Sequence, residues 1–248
     1  TQQPTPTALP LPATPTSSAL IADPTEHPLA GAQTYPLGPW VLWVESNGSA
    51  WRTFADGSDP VRLVEQFSST TDYSGLLPVG YAPESQLLAI YSGRPFETGD
   101  LTLSVFDLNS PQSPVVALNL FSGLPPFDTV DFGDPAFEAI RAIADYTSFE
   151  WSPDGQTLAF MAAMDGPSSD LYTYTPATET LLRLSDGPAQ GTWPHWSPDG
   201  RYIWHIAVES FGTGAGFNIS GVYAASADDR GVINLSGASS GGEDFFAW

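Results

Sequence analysis

The chain has 248 residues, 42% of them apolar, enough to bury a substantial core, and its 28 acids against 7 bases give a net charge of -21. Every base is Arg and there is no Cys, which excludes a disulfide framework, a thiolate zinc site and a cysteine nucleophile. So acidic a chain, without clustered cations, is a poor match for nucleic acid or an anionic membrane surface, and no run reaches the roughly 18 apolar residues of a membrane span.

In chain order, residues 1–39 come first and are rich in Pro, Thr, Ala and Gly. That composition favours extended conformations and cannot form a core, so this segment is expected to be a stalk or linker. Strand-like runs begin at Trp40. A first unit of about 40–65 holds three of them, joined in part by Ala55-Asp56-Gly57-Ser58-Asp59. A second, about 76–121, opens on Tyr81-Ala82-Pro83-Glu84-Ser85. A third, about 147–185, contains Trp151-Ser152-Pro153-Asp154-Gly155, and a fourth, about 192–236, contains Trp196-Ser197-Pro198-Asp199-Gly200.

The two full copies recur at a period of about 45 residues, the length of one four-stranded propeller blade. After each Gly come three short runs rich in Val, Ile, Leu and aromatics, separated by turn residues, as antiparallel strands require. Pro fixes φ, Asp bonds local backbone and Gly tolerates positive φ, so the motif reads as the tight turn between the first two strands of a blade. The second unit keeps the Pro and lacks the Gly. The first has no innermost strand of its own, and residues 243–248, ending in Trp248, match the strand that ends in Trp151 or Trp196. The expectation is an all-β propeller over 40–248, either closed at about four blades by that last strand or part of a larger ring.

Trp-Ser-Pro-Asp-Gly followed by Gln156-Thr157-Leu158-Ala159-Phe160, together with Ala55 to Leu63, resembles TolB-type WD-like propeller repeats. The resemblance implies a fold and several roles: periplasmic interaction proteins, gating domains of prolyl-oligopeptidase-like peptidases, and surface proteins.

With blade strands lettered a to d outward from the axis, the longer irregular segments are the b-to-c loops at 93–100 and 209–218 and the d-to-a connections at 66–75 and 122–147. In a propeller both classes emerge on one face, and loops on a rigid scaffold are where binding resides. Polar candidates there are Arg94, Glu97, Asp100, Asp128, Asp131, Glu138, Arg141 and Glu209, with Phe96, Phe127, Phe211 and Phe217 as apolar neighbours. The longest connection predicts a helix with Asp134 as N-cap, Pro135 at its first position and Phe137, Ile140 and Ala144 on one stripe, lying across the rim or channel mouth. Deleting residues 126–145 is accordingly expected to remove partner capture while sparing the β-type circular dichroism.

Acids outnumber bases on this face, which suits a cationic peptide. Ca²⁺ is a weaker alternative, because no spacing matches an EF-hand loop, and no metal site is assigned. Gly237-Ala238-Ser239-Ser240-Gly241 has the Gly-x-Ser-x-Gly pattern but lies between strands instead of on a strand-to-helix elbow, so no catalytic residue is assigned. His205 occupies a position that is apolar in the other units and is expected to be a core histidine bonded to a neighbour. The expected function is a non-catalytic extracytoplasmic binding or scaffold propeller with a protein or peptide partner and no required cofactor, tethered at a surface, in the periplasm or secreted. The alternative is the substrate-access propeller of a larger hydrolase.

Overall fold

The computed structural model describes residues 40–45, 49–64, 79–145, 149–211, 217–228 and 231–236. The proposed stalk, the 66–75 connection, the Gly-x-Ser-x-Gly segment and the proposed closing strand ending in Trp248 lie outside the described residues. Among the described residues the fold is all-β, with four antiparallel sheets in sequence order. Sheet one holds β1 (Trp40–Val44), β2 (Ala50–Phe54) and β3 (Val61–Val64). Sheet two holds β4 (Val79–Ala82), β5 (Leu87–Arg94), β6 (Asp100–Asp107) and β7 (Val116–Asn119). Sheet three holds β8 (Phe149–Trp151), β9 (Leu158–Ala162), β10 (Asp170–Thr175) and β11 (Thr180–Arg183). Sheet four holds β12 (Gln190–Trp196), β13 (Tyr202–Phe211), β14 (Phe217–Ser226) and β15 (Val232–Asn234).

Each sheet is a simple meander, so every ladder is closed by a local turn and the hard problem is sheet-to-sheet assembly. The Ser-Pro-Asp-Gly turns show how the first step is solved. Ser152 Oγ donates to Asp154 Oδ1 at 2.6 Å and accepts from the Thr157 N–H at 2.9 Å, while Asp154 Oδ1 also accepts from the Gln156 N–H at 3.1 Å. Ser197, Asp199, Arg201 and Tyr202 repeat the pattern at 2.7, 3.1 and 3.0 Å. Gly155 and Gly200 supply φ of 66° and 69°. These bonds hold the Asp199 carboxyl at about 2, with the Ser197 hydroxyl the largest cause. In sheet two, where the Gly is missing, Gln86 takes the left-handed φ of 57°.

The innermost strands stand side by side, β8 touching β4 on one flank and β12 on the other. The motif Trp joins them: Trp151 Nε1 donates to the Gly80 carbonyl and Trp196 Nε1 to the Glu150 carbonyl, both at 3.1 Å. Gly80 is required at this junction, since a Cβ there would sit 2.8 Å from the Phe149 ring. The turns interlock as well, Ser85 Oγ donating to the Gly155 carbonyl at 2.7 Å. Trp151 and Trp196 therefore occupy equivalent innermost strands of adjacent sheets, the arrangement of a propeller.

One buried cluster runs through sheets two, three and four, including Tyr91, Leu103, Phe160, Met161 and Leu171. Sheet one packs on sheet two through Ala50, Leu63, Leu88, Ile90 and Phe106. Arg52 is buried within sheet one, donating to the Asp59 carbonyl and carboxylate at 2.9 and 3.0 Å, with its guanidinium 4.3 Å from the Trp40 ring centre. Burial fades outward: β9 is buried at every position and β11 exposed at every position.

The helix α1 (Pro135–Ala144) forms where expected, with Asp134 at its N-cap and Pro at its start. It differs in how it is buried. Ala136, Glu138, Ala139, Ile140, Ala142, Ile143 and Ala144 are all buried, so packing surrounds most of the helix instead of one stripe. It lies against β9, β12 and β13, and Ile140 and Ile143 belong to the main core. Deleting residues 126–145 would open that core, so the deletion cannot test binding alone.

Two substitutions probe the inter-sheet junction. Trp196→Phe keeps most of the ring and loses the indole donor, and should lower stability by about 1 kcal/mol in urea unfolding. Gly80→Ala should cost about 1–3 kcal/mol through overpacking against Phe149. An unchanged midpoint in both variants would show that the inner strands do not hold the sheets together.

Candidate functional site

The β5–β6 loop and the connection after β7 meet beside sheet two. The loop coils on one carbonyl: the N–H groups of Glu97, Thr98 and Gly99 all donate to the Arg94 oxygen, at 3.1, 2.9 and 3.2 Å. Asp100 closes it, accepting from the Arg94 N–H at 3.3 Å and from the Thr98 hydroxyl, and Arg94 Nη1 pairs with Glu97 Oε2 at 2.9 Å. Gly99 has φ of 68°, and a Cβ there would lie 2.3 Å from Phe127 Cβ, so the loop sits directly on the connection. The connection is pinned to sheet three by the Gly123 N–H on the Ala163 carbonyl at 2.9 Å.

Between loop and connection lies an open cavity of about 620 Å³, lined by Glu97, Gly99, Asn119, Phe121, Pro125, Pro126, Phe127 and Asp128 among others. It combines a Pro-Pro-Phe rim with two exposed carboxylates. Beside it Phe96 packs on Phe137 and Phe137 on Phe132, with ring centres 6.5 and 5.1 Å apart. Phe132 is 68% exposed, the most exposed large apolar side chain among the described residues.

The sequence candidates thus divide. Glu97, Phe127 and Asp128 share the cavity, with Phe96 in the loop that forms its wall and Arg94 and Asp100 at the paired strand ends that carry the loop. Asp131 stands exposed on the approach to α1, its N–H donating to Asp134 Oδ2 at 2.9 Å. Glu138 and Arg141 lie on the buried helix, 4.0 Å apart, and Arg141 also lies 3.8 Å from Asp145. The second b-to-c loop is shorter than expected, because β13 and β14 run ten residues each. Glu209 is therefore in a strand, at a register shift between Val208 and Ser210, and Phe211 pairs with Phe217 across the ladder; the side chains of these two Phe lie outside the described residues.

Glu209 belongs to a different cavity of about 750 Å³ between sheets three and four, lined also by Asp170, Asp186, His205, Tyr223 and Asn234. The sequence does not group these residues, since the walls come from five separate segments between Ser169 and Asn234. His205 is buried as expected, but its Nδ1 has no hydrogen-bond partner. His195 instead is exposed, 3.4 Å from Glu150 and beside Trp204. Among the described residues no group of three or more His, Asp or Glu side chains is placed to hold a metal ion.

The cavity perturbs two titrations in opposite senses. Burial pushes the Asp170 carboxyl up to about 6, against the Ser168 hydroxyl and Arg183, which lower it. Burial pushes the His205 imidazole down to about 4. Between the ordinary carboxylate value and pH 6, native Asp170 keeps a proton that the unfolded chain has released, so its contribution to stability is present below about pH 4 and lost as pH rises through 6. His205 works the other way: the unfolded chain binds the proton first, so its contribution is present above about 6.5 and lost as pH falls through 4. Asp170→Asn should leave a melting temperature that climbs from pH 4 to 6.5, and His205→Phe one that falls, each by roughly 2–4 °C per kcal/mol of linkage. Parallel profiles for wild type and both variants would contradict these assignments.

No protein-family model matches the chain. Over 68 residues it is 38% identical to the "Uncharacterized peptidase YuxL" of Bacillus subtilis, covering 27% of this chain and 10% of that protein. Over 88 residues it is 32% identical to Dipeptidyl-peptidase 5 of Porphyromonas gingivalis, covering 32% of this chain and 13% of that protein. The matches span about a tenth of the length of these curated relatives. Among solved structures the chain is similar to TolB from Acinetobacter baumannii, at 17% identity and a TM-score of 0.41, over 75% of this chain and 37% of that one. It is also similar to the putative TolB from Agrobacterium tumefaciens, at 20% identity and a TM-score of 0.43, over 81% of this chain and 59% of that one. The chain resembles the TolB-type propellers. No helix among the described residues is long and apolar enough to cross a membrane.

Proposed function

We propose that the chain is a non-catalytic binding propeller that works outside the cytoplasm and captures a cationic segment of a protein partner in the sheet-two cavity. The observation that carries this reading is the Glu97–Asp128 cavity with its Pro125-Pro126-Phe127 rim, open on the loop-bearing side of sheet two and flanked by exposed Phe132. Apolar rim residues beside carboxylates suit an extended peptide with Lys or Arg, and a net charge of -21 attracts such a partner over distance. The Pro- and Thr-rich residues 1–39 support a surface tether. The protein has no cofactor in this reading, and Ca²⁺ stays the weaker alternative.

Glu97→Gln combined with Asp128→Asn should lower affinity for an Arg- and Lys-rich peptide by about tenfold or more in fluorescence anisotropy, with an unchanged circular dichroism spectrum. Phe132→Ala should weaken it further, by about 1–2 kcal/mol. Full affinity in the triple variant would remove this cavity from the binding surface.

The peptidase relatives favour a second reading, in which the propeller controls substrate access for a hydrolase encoded in the same gene. The full reading frame separates the two: an adjoining α/β-hydrolase domain favours the second and its absence the first.

A further inference from the structure

The cavity between sheets three and four carries chemistry that the fold does not need. On β9, Phe160 faces Tyr172 across the ladder with ring centres 5.8 Å apart at 20°. On β13, His205 faces Tyr223 in the same way, 5.8 Å apart at 21°. The two pairs hold equivalent places in adjacent blades, so a Phe satisfies the packing there. Sheet four instead presents an imidazole that is 4% exposed and whose Nδ1 has no hydrogen-bond partner. A buried ring nitrogen left unsatisfied is destabilising, and a bound group could satisfy it.

The cavity lined by this imidazole has walls of one electrostatic sign. Asp170, Asp186 and Glu209 line it, and no Arg does. Arg183 stands behind them, 2.8 Å from Asp186 and 4.0 Å from Asp170, but it also pairs with Asp165. One cation is thus shared among three carboxylates, and Glu209 is held in place by the Asn218 amide at 2.9 Å. Near neutral pH the imidazole is uncharged and adds no positive charge. Hydroxyls of Ser169, Ser185 and Ser220 complete a wall rich in acceptors.

We propose that this inter-sheet cavity binds an organic cation bearing N–H donors, an alkylammonium or guanidinium group, with its charge met by Glu209 and Asp170, one N–H directed to the His205 imidazole and its apolar stem along the Tyr223 ring. A metal ion fits less well, because the described His, Asp and Glu side chains include no group of three placed to ligate one. The group could belong to a free amine or to a Lys or Arg side chain of a polypeptide. The site is separate from the sheet-two cavity and stands or falls without it.

Isothermal titration at physiological ionic strength distinguishes the sources, using the Glu97→Gln/Asp128→Asn protein so that the sheet-two cavity does not compete, with n-butylammonium chloride in one arm and acetyl-Gly-Lys-Gly-amide, with its N-acetyl-lysine counterpart as control, in the other. Saturable one-site binding is expected in at least one arm and not with the acetylated control. Binding of the free amine identifies a small molecule, and binding of the peptide alone identifies a side chain. His205→Phe, which reproduces the residue of sheet three, and Glu209→Gln at the surface should each lower affinity by about tenfold, while Glu84→Gln, an exposed carboxylate in the β4–β5 turn, leaves it unchanged. Heats that fail to saturate in both arms, or an affinity unaltered in both groove variants, would overturn the assignment.

Discussion

The structure depends on a hydrogen bond that crosses from one sheet to the next. An indole on each of two innermost strands reaches the main-chain oxygen of the neighbouring innermost strand, Trp151 to Gly80 and Trp196 to Glu150. Ladders and turns build each sheet locally, but meanders have no intrinsic reason to stack in one order or spacing. The Trp supplies both, because its ring fills the wedge between strands while its N–H fixes the register to one carbonyl. Gly80 completes the contact by leaving room for Phe149, and the Ser85–Gly155 bond locks successive turns. The rest of the molecule, including both cavities, is positioned by that stacking.

What could be read from the sequence follows from where the physics is local. Ser-Pro-Asp-Gly forms its own hydrogen-bond network within six residues, so it announces its turn wherever it occurs, and the Trp ahead of it marks the inner strand. The N-cap and Pro start of α1 are local in the same sense. Its burial is not: Ala136 and Ala142 look indifferent in a helical pattern and are buried only because β9, β12 and β13 close around them. The loop expected at 209–218 is narrower for a nonlocal reason, because ladder pairing with β14 carries β13 past Glu209.

The candidate sites show the same division. Glu97, Phe127 and Asp128 could be grouped because propeller topology brings b-to-c loops and d-to-a connections to one face. The cavity between sheets three and four could not, since it is assembled from β10, the segment after β11, and all four strands of sheet four. One signal did exist. At His205 a polar ring stands at a repeat position that is apolar in the other units.

The outer margins of the sheets carry a consequence of their own. β3, β7, β11 and β15 are only three or four residues long. An edge so short offers a rung or two of free main chain, too little to seat an added strand, and copies of so anionic a chain repel one another before their margins meet. Fibrillar growth through sheet extension is thereby disfavoured even at high local density, and recognition is left to side chains and loop surfaces.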